Sequence, residues 1–540
     1  MSGVAGDLER YLRWYPILVS IGAALLSLLI GRYCFPYFAF DPDTAAYLFQ
    51  AKLFAQGTLA TSAPPDFGFS PSPHINIYNG LWFSKYPLGN SLYLVPGVLV
   101  GLPSVMPALA TGVTLLLFFF IVKDLFDHRV ALLALSLAAL SPTTLLLGSS
   151  LLSQPTSRLC MAIFLWSLLR GLKVESPKRA ALYAAAAGLA LGYGFNTRPL
   201  VAFVMGVVSL MLIARAAFVA GTLARFVVPM GAAAATLLAM VALFFATNAY
   251  LTGDPWLLPY HALQAADRMG FGLRGEGYTP LVADFGMHFT PGIALDRLWK
   301  HTLPAVLYNA TGWGTYYSNM LLFDDPARYF PRRAWLLLIP TGLIALALLH
   351  HSRRFSDFFC GAIFLVTLIA LFFQYSDHST WGTTPLHISY YNEATLFGLI
   401  PLIARGMLIV YDGAKSMNRL LSVAVVAAYA VLFVGTINAN TASARQFRNW
   451  DPYFQVLPRL VAEAKLQNAV VFIPNTRNAP VGEYPFVPLA SADIVYYRTG
   501  PLPQWRLNTP DWRSAYNKYF PGRSAYVFDG KTLMPLDAGN

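Results

Sequence analysis

The sequence predicts an all-α polytopic membrane protein with a small soluble α/β domain at its C-terminus. Composition is the first reason, because 56% of the 540 residues are hydrophobic and only 12% are charged, against about 25% charged in a soluble chain. The second reason is a series of about eleven apolar runs, each close to the ~20 residues that cross a bilayer. The third is the polar, strand-like character of the chain after about residue 440. These features exclude a string of soluble domains and a disordered chain.

The apolar runs define the predicted transmembrane helices in order. The first run follows Arg10 and Arg13 and has no small-residue cleavage site, so we expect it to stay as an anchor. The runs lie near 14–34, 104–122, 130–148, 155–172, 180–196, 199–214, 227–248, 334–350, 358–375, 394–411 and 420–437.

Lys and Arg residues fix the expected orientation. If the N-terminus is cytoplasmic, every short loop on that face is basic, as the positive-inside rule requires, and the C-terminus is periplasmic. The net charge of +12 is then explained by topology, and no nucleic acid partner is expected. Arg328, Arg332 and Arg333 depart from the rule by preceding a span on the outer side. The basic inner-loop residues are Lys123, Arg129, Lys173, Lys178, Arg179, Arg215, Arg225, Arg353, Arg354, Lys415 and Arg419.

Two domains follow from this layout. Residues 1–440 form the transmembrane domain, with long outer loops at 35–103 and 249–333, and residues 441–540 form the periplasmic domain. The periplasmic domain is predicted to hold a helix at 454–467 and strands at 469–474, 494–497 and 524–528. It has no nucleophile motif, so we expect packing or acceptor docking there. Neither the three cysteines nor the nine histidines form a disulfide or zinc pattern.

The first outer loop contains the strongest candidate site. Asp41 followed by Pro42 is typical of a helix start, with Asp41 as the cap. Asp43 then lies in the first turn, where a second carboxylate at a membrane surface is costly and therefore indicates function. Asp41 and Asp43 also have the spacing of a possible site for a divalent metal such as Mg or Mn, although no cofactor is expected to be required. The residues that share one face of this helix are Asp43, Tyr47, Gln50 and Phe54.

Three cations are candidate anion ligands. Lys85 precedes the apolar segment 86–101, which Pro and Gly interrupt and which we expect to be an interfacial or re-entrant helix. Lys85 suits a lipid phosphate, although snorkelling explains its position equally well. Arg198 lies between two apolar runs on the outer side, where anion binding or pairing with an acid is favoured. Arg158, near the start of the fourth span, supports the same interpretation more weakly.

The order of these features resembles a known superfamily. An anchor, an acidic helix start, Lys85-Tyr86-Pro87 with Gly89, a basic inner loop at 123–129, and Arg198-Pro199 follow one another as in the GT-C membrane glycosyltransferases. The chain is most similar to the bacterial branch near glycosyltransferase family 39, which includes protein O-mannosyltransferases and the lipid A aminoarabinose transferase. The resemblance implies a GT-C fold and inverting transfer of a hexosyl or pentosyl group from a polyprenyl-phosphate donor. The acceptor is a hydroxyl of a glycan, lipid or protein at the outer face of the bacterial inner membrane.

The resemblance also implies roles for individual residues. Asp43, four residues before a tyrosine, corresponds to the catalytic base, and Lys85 and Arg198 are candidates to stabilise the leaving phosphate. Thr44 and Gln154 stand where some relatives have further acids, and an Arg that relatives carry shortly before residue 390 is missing. The predicted substrate-binding residues are Tyr47, Lys85, Tyr86, Gln154, Arg158, Arg198, Tyr260, Tyr390, Tyr391 and Glu393.

Two other functions fit a membrane protein of this composition. A transporter or flippase of a lipid-linked saccharide would carry paired repeats and charges at the bilayer midplane; no internal repeat is detectable and the charges gather on the outer face. A membrane scaffold would leave Asp43, Lys85 and Arg198 without a common purpose.

Overall fold

The membrane domain is a bundle of helices, and the computed structural model describes most of it. The described residues are 2–36, 42–69, 74–263, 269–274, 287–313, 334–373, 391–450, 452–474, 493–502 and 507–536. The helices of the bundle are α1 (Ser2–Cys34), α4 (Val105–Leu125), α5 (His128–Leu140), α6 (Pro142–Gly148), α7 (Gln154–Lys173), α8 (Pro177–Phe195), α9 (Pro199–Ala220), α10 (Val227–Thr252), α13 (Leu303–Thr311), α14 (Leu338–Leu349), α15 (Phe355–Phe372), α16 (Asn392–Ala394), α17 (Ile400–Met417) and α18 (Arg419–Trp450).

Helices occupy all eleven predicted runs, but fewer of them meet a strict criterion for a span. In the described part of the chain, seven are long and apolar enough to cross a membrane. The pair α5 and α6, bent by 53° at Pro142, adds an eighth as one broken span. Helices α7 and α8 contain several polar and basic residues, and α14 has 12 residues. Most of α7 is buried among other helices, so its polar side chains face protein rather than lipid.

The contact between α8 and α10 depends on glycine. A Cβ atom on Gly188 would overlap the backbone carbonyl oxygen of Ala233. The hydroxyl of Thr236 donates a hydrogen bond of 2.9 Å to the carbonyl of Ala185, which links the same two helices. Small residues allow such close approach of backbones in membranes, where packing replaces the hydrophobic effect.

We expect Gly188→Ala to destabilise the bundle by about 1–3 kcal/mol, as for other overpacked sites. Alanine gains helix propensity of about 1 kcal/mol over glycine, but a backbone atom cannot move aside as a flexible side chain can. Thermal unfolding in detergent measures the effect. Gly231→Ala on α10 is the matched control, because no atom lies within 4 Å of the added methyl group. Equal unfolding temperatures for the two variants would contradict the packing argument.

The first outer loop contains a short helix and a small sheet and is followed by an apolar helix. Helix α2 (Pro42–Ala55) is followed by β1 (Thr61–Ser62), β2 (Ile75–Tyr78) and β3 (Leu81–Ser84), which pair antiparallel in the order β1-β3-β2. Helix α3 (Leu88–Leu99) lies within the segment 86–101 for which an interfacial or re-entrant helix was predicted.

The second outer loop contains more structure than its sequence suggested. Two helices there, α11 (Pro259–Leu263) and α12 (Pro291–Arg297), accompany a two-stranded antiparallel sheet of β4 (Gly272–Arg274) and β5 (Met287–Phe289). Helix α13, which follows, packs its alanine and valine side chains into the main core of the bundle.

The C-terminal domain is built on a five-stranded sheet. Its strands are β6 (Ala469–Pro474), β7 (Ile494–Leu502), β8 (Leu507–Thr509), β9 (Ser524–Phe528) and β10 (Leu533–Leu536), in the order β10-β9-β6-β7-β8. The central strand β6 runs parallel to β7 and β9, and the outer strands pair antiparallel. Helices α19 (Pro452–Glu463) and α20 (Trp512–Tyr519) complete the domain.

The C-terminal domain packs directly on α2. One hydrophobic core contains buried side chains from α2, the β2–β3 hairpin, α19 and the C-terminal sheet. The phenol of Tyr497 also donates a hydrogen bond of 2.8 Å to Asp66 in the first outer loop. The domain thereby supports the helix that carries Asp43. The buried members of this core are Ala46, Phe49, Leu53, Ile75, Trp82, Leu457, Val461, Val471, Ile473 and Phe528.

Candidate active site

A cavity of about 220 Å³ opens where the outer loops meet the bundle. Seven of the residues predicted from the sequence line it, and they come from widely separated parts of the chain. These residues are Asp43, Tyr47, Tyr86, Gln154, Arg198, Tyr260 and Glu393.

Asp43 reaches the cavity from the first turn of α2. The Gln50 side chain makes two hydrogen bonds that hold this helix: the backbone N–H of Ser84 in the hairpin donates to its Oε1 at 2.9 Å, and its Nε2 donates to the carbonyl of Leu59, just after the helix, at 2.7 Å. Gln50 is therefore a structural residue, although it shares the helix face of Asp43. The positive end of the helix dipole also favours a charged carboxylate at this position.

The carboxylate of Asp43 has two partners. Nε2 of His74 lies 3.0 Å from Oδ1, and the phenol of Tyr86 donates a hydrogen bond to the same oxygen. Burial by the protein raises the pKa of Asp43. The hydrogen bond and charge of His74, the charge of Lys85 and the hydrogen bond from Tyr86 lower it by more than burial raises it. The net pKa of Asp43 therefore lies well below its usual range. Burial, with Asp43 beside it, raises the pKa of Tyr86 well above 10. At neutral pH Asp43 is ionised, as a base must be, and Tyr86 is a neutral donor.

Aromatic rings surround this carboxylate. The rings of Tyr47 and Tyr86 stack with centroids 4.6 Å apart, and the ring of Tyr260 lies 6.2 Å from that of Tyr86. Lys85 is 4% exposed, and its ammonium lies 4.5 Å from the Tyr260 ring centroid and 5.2 Å from that of Tyr86. Such distances are typical of cation–π contacts. Lys85 does not line the cavity itself, but its charge reaches Asp43.

A second polar group lies across the cavity, at the start of α7 and α9. Nε of Arg198 lies 3.8 Å from Oε1 of Glu393, and its Nη1 donates to the hydroxyl of Ser153 at 3.3 Å. Glu393 is 2% exposed, and neither of its carboxylate oxygens has a hydrogen bond among the described residues. The side-chain oxygen of Gln154 is likewise buried without a donor. These buried acceptors could bind hydroxyl or amino groups of a ligand.

The remaining wall of the cavity is apolar and lies between two membrane helices. Helices α9 and α15 pack against each other, and both meet the criterion for a span. The apolar side chains on this wall are Leu200, Val201, Val204, Met205, Ala370 and Leu371.

Comparison with known proteins identifies the fold. Residues 104–244 match the family described as dolichyl-phosphate-mannose-protein mannosyltransferase. ArnT from Cupriavidus metallidurans bound to undecaprenyl phosphate is similar, with a TM-score of 0.56 and 14% identity over 95% of this chain and 92% of that chain. Its apo state gives 0.54 and 13% over the same shares. The chain has the GT-C fold.

A second GT-C structure agrees. The oligosaccharyltransferase of Archaeoglobus fulgidus in its apo form has a TM-score of 0.52 and 14% identity, over 86% of this chain and 59% of that chain. No curated protein sequence matches the chain significantly. The GT-C resemblance inferred from the sequence, and the predicted fold class, are thereby confirmed.

Some of the residues predicted for the GT-C site lie elsewhere. Arg158 is 2% exposed inside the bundle and does not line the cavity, although its charge acts on Glu393. Tyr391 is buried in the main hydrophobic core beside the cavity. Asp41 and Tyr390 lie outside the described residues. In the part of the chain that the structure describes, no three His, Cys, Asp or Glu side chains group as metal ligands.

His74 is a contact of the site that sequence reasoning missed. Asn79-Gly80 is the signal that would have found it, because this dipeptide favours a two-residue hairpin turn, and both residues have positive φ here, 49° and 75°. A hairpin centred on 79–80 pairs Ile75 with Ser84 and so brings His74 next to Lys85. Ser153 and Thr197, which also line the cavity, follow from the helix starts at Gln154 and Pro199.

Proposed function

We propose that this protein is an inverting glycosyltransferase that moves a sugar from a polyprenyl-phosphate donor to an acceptor hydroxyl. The observation that carries the proposal is one cavity that joins the ionised carboxylate of Asp43, the guanidinium of Arg198 and an apolar wall between two membrane helices. The similar fold of ArnT, whose structure was determined with undecaprenyl phosphate, supports a lipid phosphate as the carrier of the sugar.

Asp43 acts as the general base in this reaction. The acceptor oxygen forms a bond to the anomeric carbon while its proton passes to the Asp43 carboxylate. On the opposite face of that carbon, the bond to the phosphate oxygen breaks, and the polyprenyl phosphate leaves with the electron pair. Attack from the face opposite the leaving group inverts the anomeric configuration. The lowered pKa of Asp43 keeps the carboxylate ionised at neutral pH, which is the state that can take up a proton.

The cations stabilise the charge on the departing phosphate. Arg198 lines the cavity and presents a guanidinium group suited to two phosphate oxygens. Lys85 acts from behind the tyrosine rings through its charge. Because Arg198 and Lys85 provide positive charge and one Asp43 oxygen is already engaged by His74, we propose that transfer requires no divalent cation.

The sugar lies between the two polar groups of the cavity. Tyr47, Tyr86 and Tyr260 offer ring surfaces on one side, and the bare acceptor oxygens of Gln154 and Glu393 offer hydrogen-bond partners on the other. The acceptor, which belongs to a glycan, a lipid or a protein, approaches through the open side of the cavity above Asp43.

The reaction takes place on the outer face of the bacterial inner membrane, with a cytoplasmic N-terminus and a periplasmic C-terminus. The charge distribution supports this orientation. Helix α7 begins at the cavity with Gln154 and ends at Lys173, whose ammonium pairs with Asp124 at 2.9 Å. Arg129 pairs with Asp412 at 2.7 Å at the same end of the bundle. The basic loops therefore lie at the end opposite the cavity, as the positive-inside rule requires.

Membranes that contain the protein should release undecaprenyl phosphate from lipid-linked sugar. The lipid extract of the producing cells serves as donor and their envelope fraction as acceptor, and mass spectrometry follows both. We expect free undecaprenyl phosphate to rise in step with a mass increase of one sugar in an envelope component. The rate should be unchanged in EDTA.

Membranes from cells without the protein provide the control. An unchanged envelope mass, accompanied by movement of intact lipid-linked sugar between the leaflets, would contradict transfer and favour the flippase. Loss of the reaction in EDTA, with recovery on adding Mg²⁺ or Mn²⁺, would contradict only the proposal that transfer requires no divalent cation. The proposal of sugar transfer itself would stand.

A further inference from the structure

We propose that His74 is a positioning residue that divides the two oxygens of Asp43 between separate tasks. Its bond engages Oδ1, so that Oδ2 is turned toward the cavity as the atom that accepts the proton. The inference rests on the proposed function, and it assigns a role to a histidine that lies 31 residues after the base in the sequence.

The contacts of Asp43 are unequal. Both His74 and Tyr86 contact Oδ1, and within the described residues the carboxylate makes no hydrogen bond through Oδ2. The Asp43 side chain is 41% exposed while that of His74 is 10% exposed. One oxygen is therefore held by the protein, and the other is available to a ligand in the cavity that Asp43 lines.

The β2–β3 hairpin places His74 beside Oδ1 of Asp43. Because β2 and β3 pair Ile75 with Ser84, the next pair outward is His74 and Lys85, and the N–H of Lys85 donates to the carbonyl of His74 at 3.0 Å. The same backbone pairing places Tyr86 nearby, with its ring centroid 5.8 Å from that of His74. A rigid two-stranded element thus holds both partners of Oδ1.

An engaged Oδ1 and a bare Oδ2 suit a general base. An oxygen that already accepts two hydrogen bonds is a poor proton acceptor, whereas Oδ2 keeps its lone pairs for the acceptor hydroxyl. The two bonds also restrict rotation of the carboxylate, and a misplacement of ~1 Å at a reacting group costs about 10²-fold in rate. His74 therefore contributes by orientation, without touching the reacting atoms.

His74 also sets the pH range in which the base is ionised. The titratable groups next to it are Asp43 on α2 and Lys85 and Tyr86 after β3, and Tyr260 on α11 lies beyond the Tyr86 ring. The His74 hydrogen bond and charge lower the pKa of Asp43, whereas burial raises it. Without His74, the raising effect is less opposed and the pKa of Asp43 rises. The acid limb of the rate profile should then move to higher pH, because Asp43 becomes protonated earlier as pH falls.

The test compares His74→Ala and His74→Gln in the full-length protein, using the undecaprenyl phosphate release assay with cell lipid extract. We expect His74→Ala to lower kcat by about 10- to 100-fold with little change in KM, and to move the acid limb upward. His74→Gln keeps an N–H donor, so its kcat should recover to within about threefold of the original protein. Thermal unfolding of each variant in detergent reports on folding.

Three outcomes separate the possibilities. An unchanged kcat and acid limb in His74→Ala would overturn the positioning role. Equal loss of activity in both variants, together with lower unfolding temperatures and an unmoved acid limb, would also overturn it, since this pattern indicates structural damage. Full activity of Asp43→Asn, by contrast, would overturn the proposed function itself, so the two failures are distinguishable.

Discussion

Asp43→Asn is expected to abolish sugar transfer while the protein still folds. The amide has the shape of the carboxylate, and its oxygen can still accept hydrogen bonds from His74 and Tyr86. It cannot accept a proton from the acceptor hydroxyl, and loss of a general base typically costs 10²–10⁴-fold in rate. Release of undecaprenyl phosphate and the envelope mass shift should both fall to the level of membranes without the protein.

Asp412→Asn is the matched control for this experiment. Asp412 is an exposed aspartate that pairs with Arg129 at the end of the bundle opposite the cavity, and exposed ion pairs contribute about 0–1 kcal/mol to stability. Its activity should be unchanged. Asp41→Asn should reduce transfer less than Asp43→Asn, since we assign Asp41 to the helix cap. Full activity of purified Asp43→Asn would remove the base from the mechanism.

The membrane helices were predictable because the bilayer imposes a length and a composition on each span. Helices α7 and α8 were also predicted as spans but fall below the strict criterion, because α7 carries buried polar residues and α8 begins with the exposed Lys178 and Arg179. Burial against protein cannot be deduced from a single segment, because it depends on which other segments surround it. The predicted positions of the helices were correct, but the number that crosses the membrane could not be read from hydropathy.

The first outer loop was predictable in part. Asp43 and Tyr47 share a helix face four residues apart, so local periodicity predicted their proximity. Tyr86 joins them only through the turn at 79–80, which returns the chain to α2. Glu393 and Arg198 lie almost 200 residues apart, and only the packing of the bundle brings them to one cavity. Residues joined by local structure were predictable from spacing, whereas the meeting of distant residues such as Arg198 and Glu393 in one site was proposed only through the GT-C resemblance.

The role of the C-terminal domain could not be predicted from its sequence. Three of the five described strands, β6, β7 and β9, were predicted, since β-branched and aromatic runs between turns favour strands; the short outer strands β8 and β10 were missed. The core that joins Phe49 and Trp82 to Phe528 depends on surfaces that are complementary only after folding. This core makes the domain a support for α2, and so for the position of Asp43, rather than an independent module.

Arg198→Gln is expected to produce the second large loss of activity. Glutamine keeps hydrogen-bonding capacity toward Ser153, but it has no positive charge for the leaving phosphate. Removing one preorganised donor from a developing oxyanion costs about 10²–10³-fold in kcat. The buried carboxylate of Glu393, 2% exposed, would also lose its ion-pair partner at 3.8 Å. The initial rate of undecaprenyl phosphate release measures the loss of activity. The binding of undecaprenyl phosphate alone measures the loss of affinity for the leaving group.

Arg459→Gln provides the matched control, because Arg459 is exposed and pairs with Glu463 on α19, where such a pair contributes little. If Arg198 acts on the leaving phosphate, Arg198→Gln lowers both the rate of transfer and the affinity for undecaprenyl phosphate. The double variant with Glu393→Gln then recovers the stability of the folded protein but not the rate of transfer. If Arg198 only neutralises Glu393, the double variant regains the rate as well. That second result would assign Arg198 to the structure of the bundle and leave Lys85 as the cation that stabilises the leaving group.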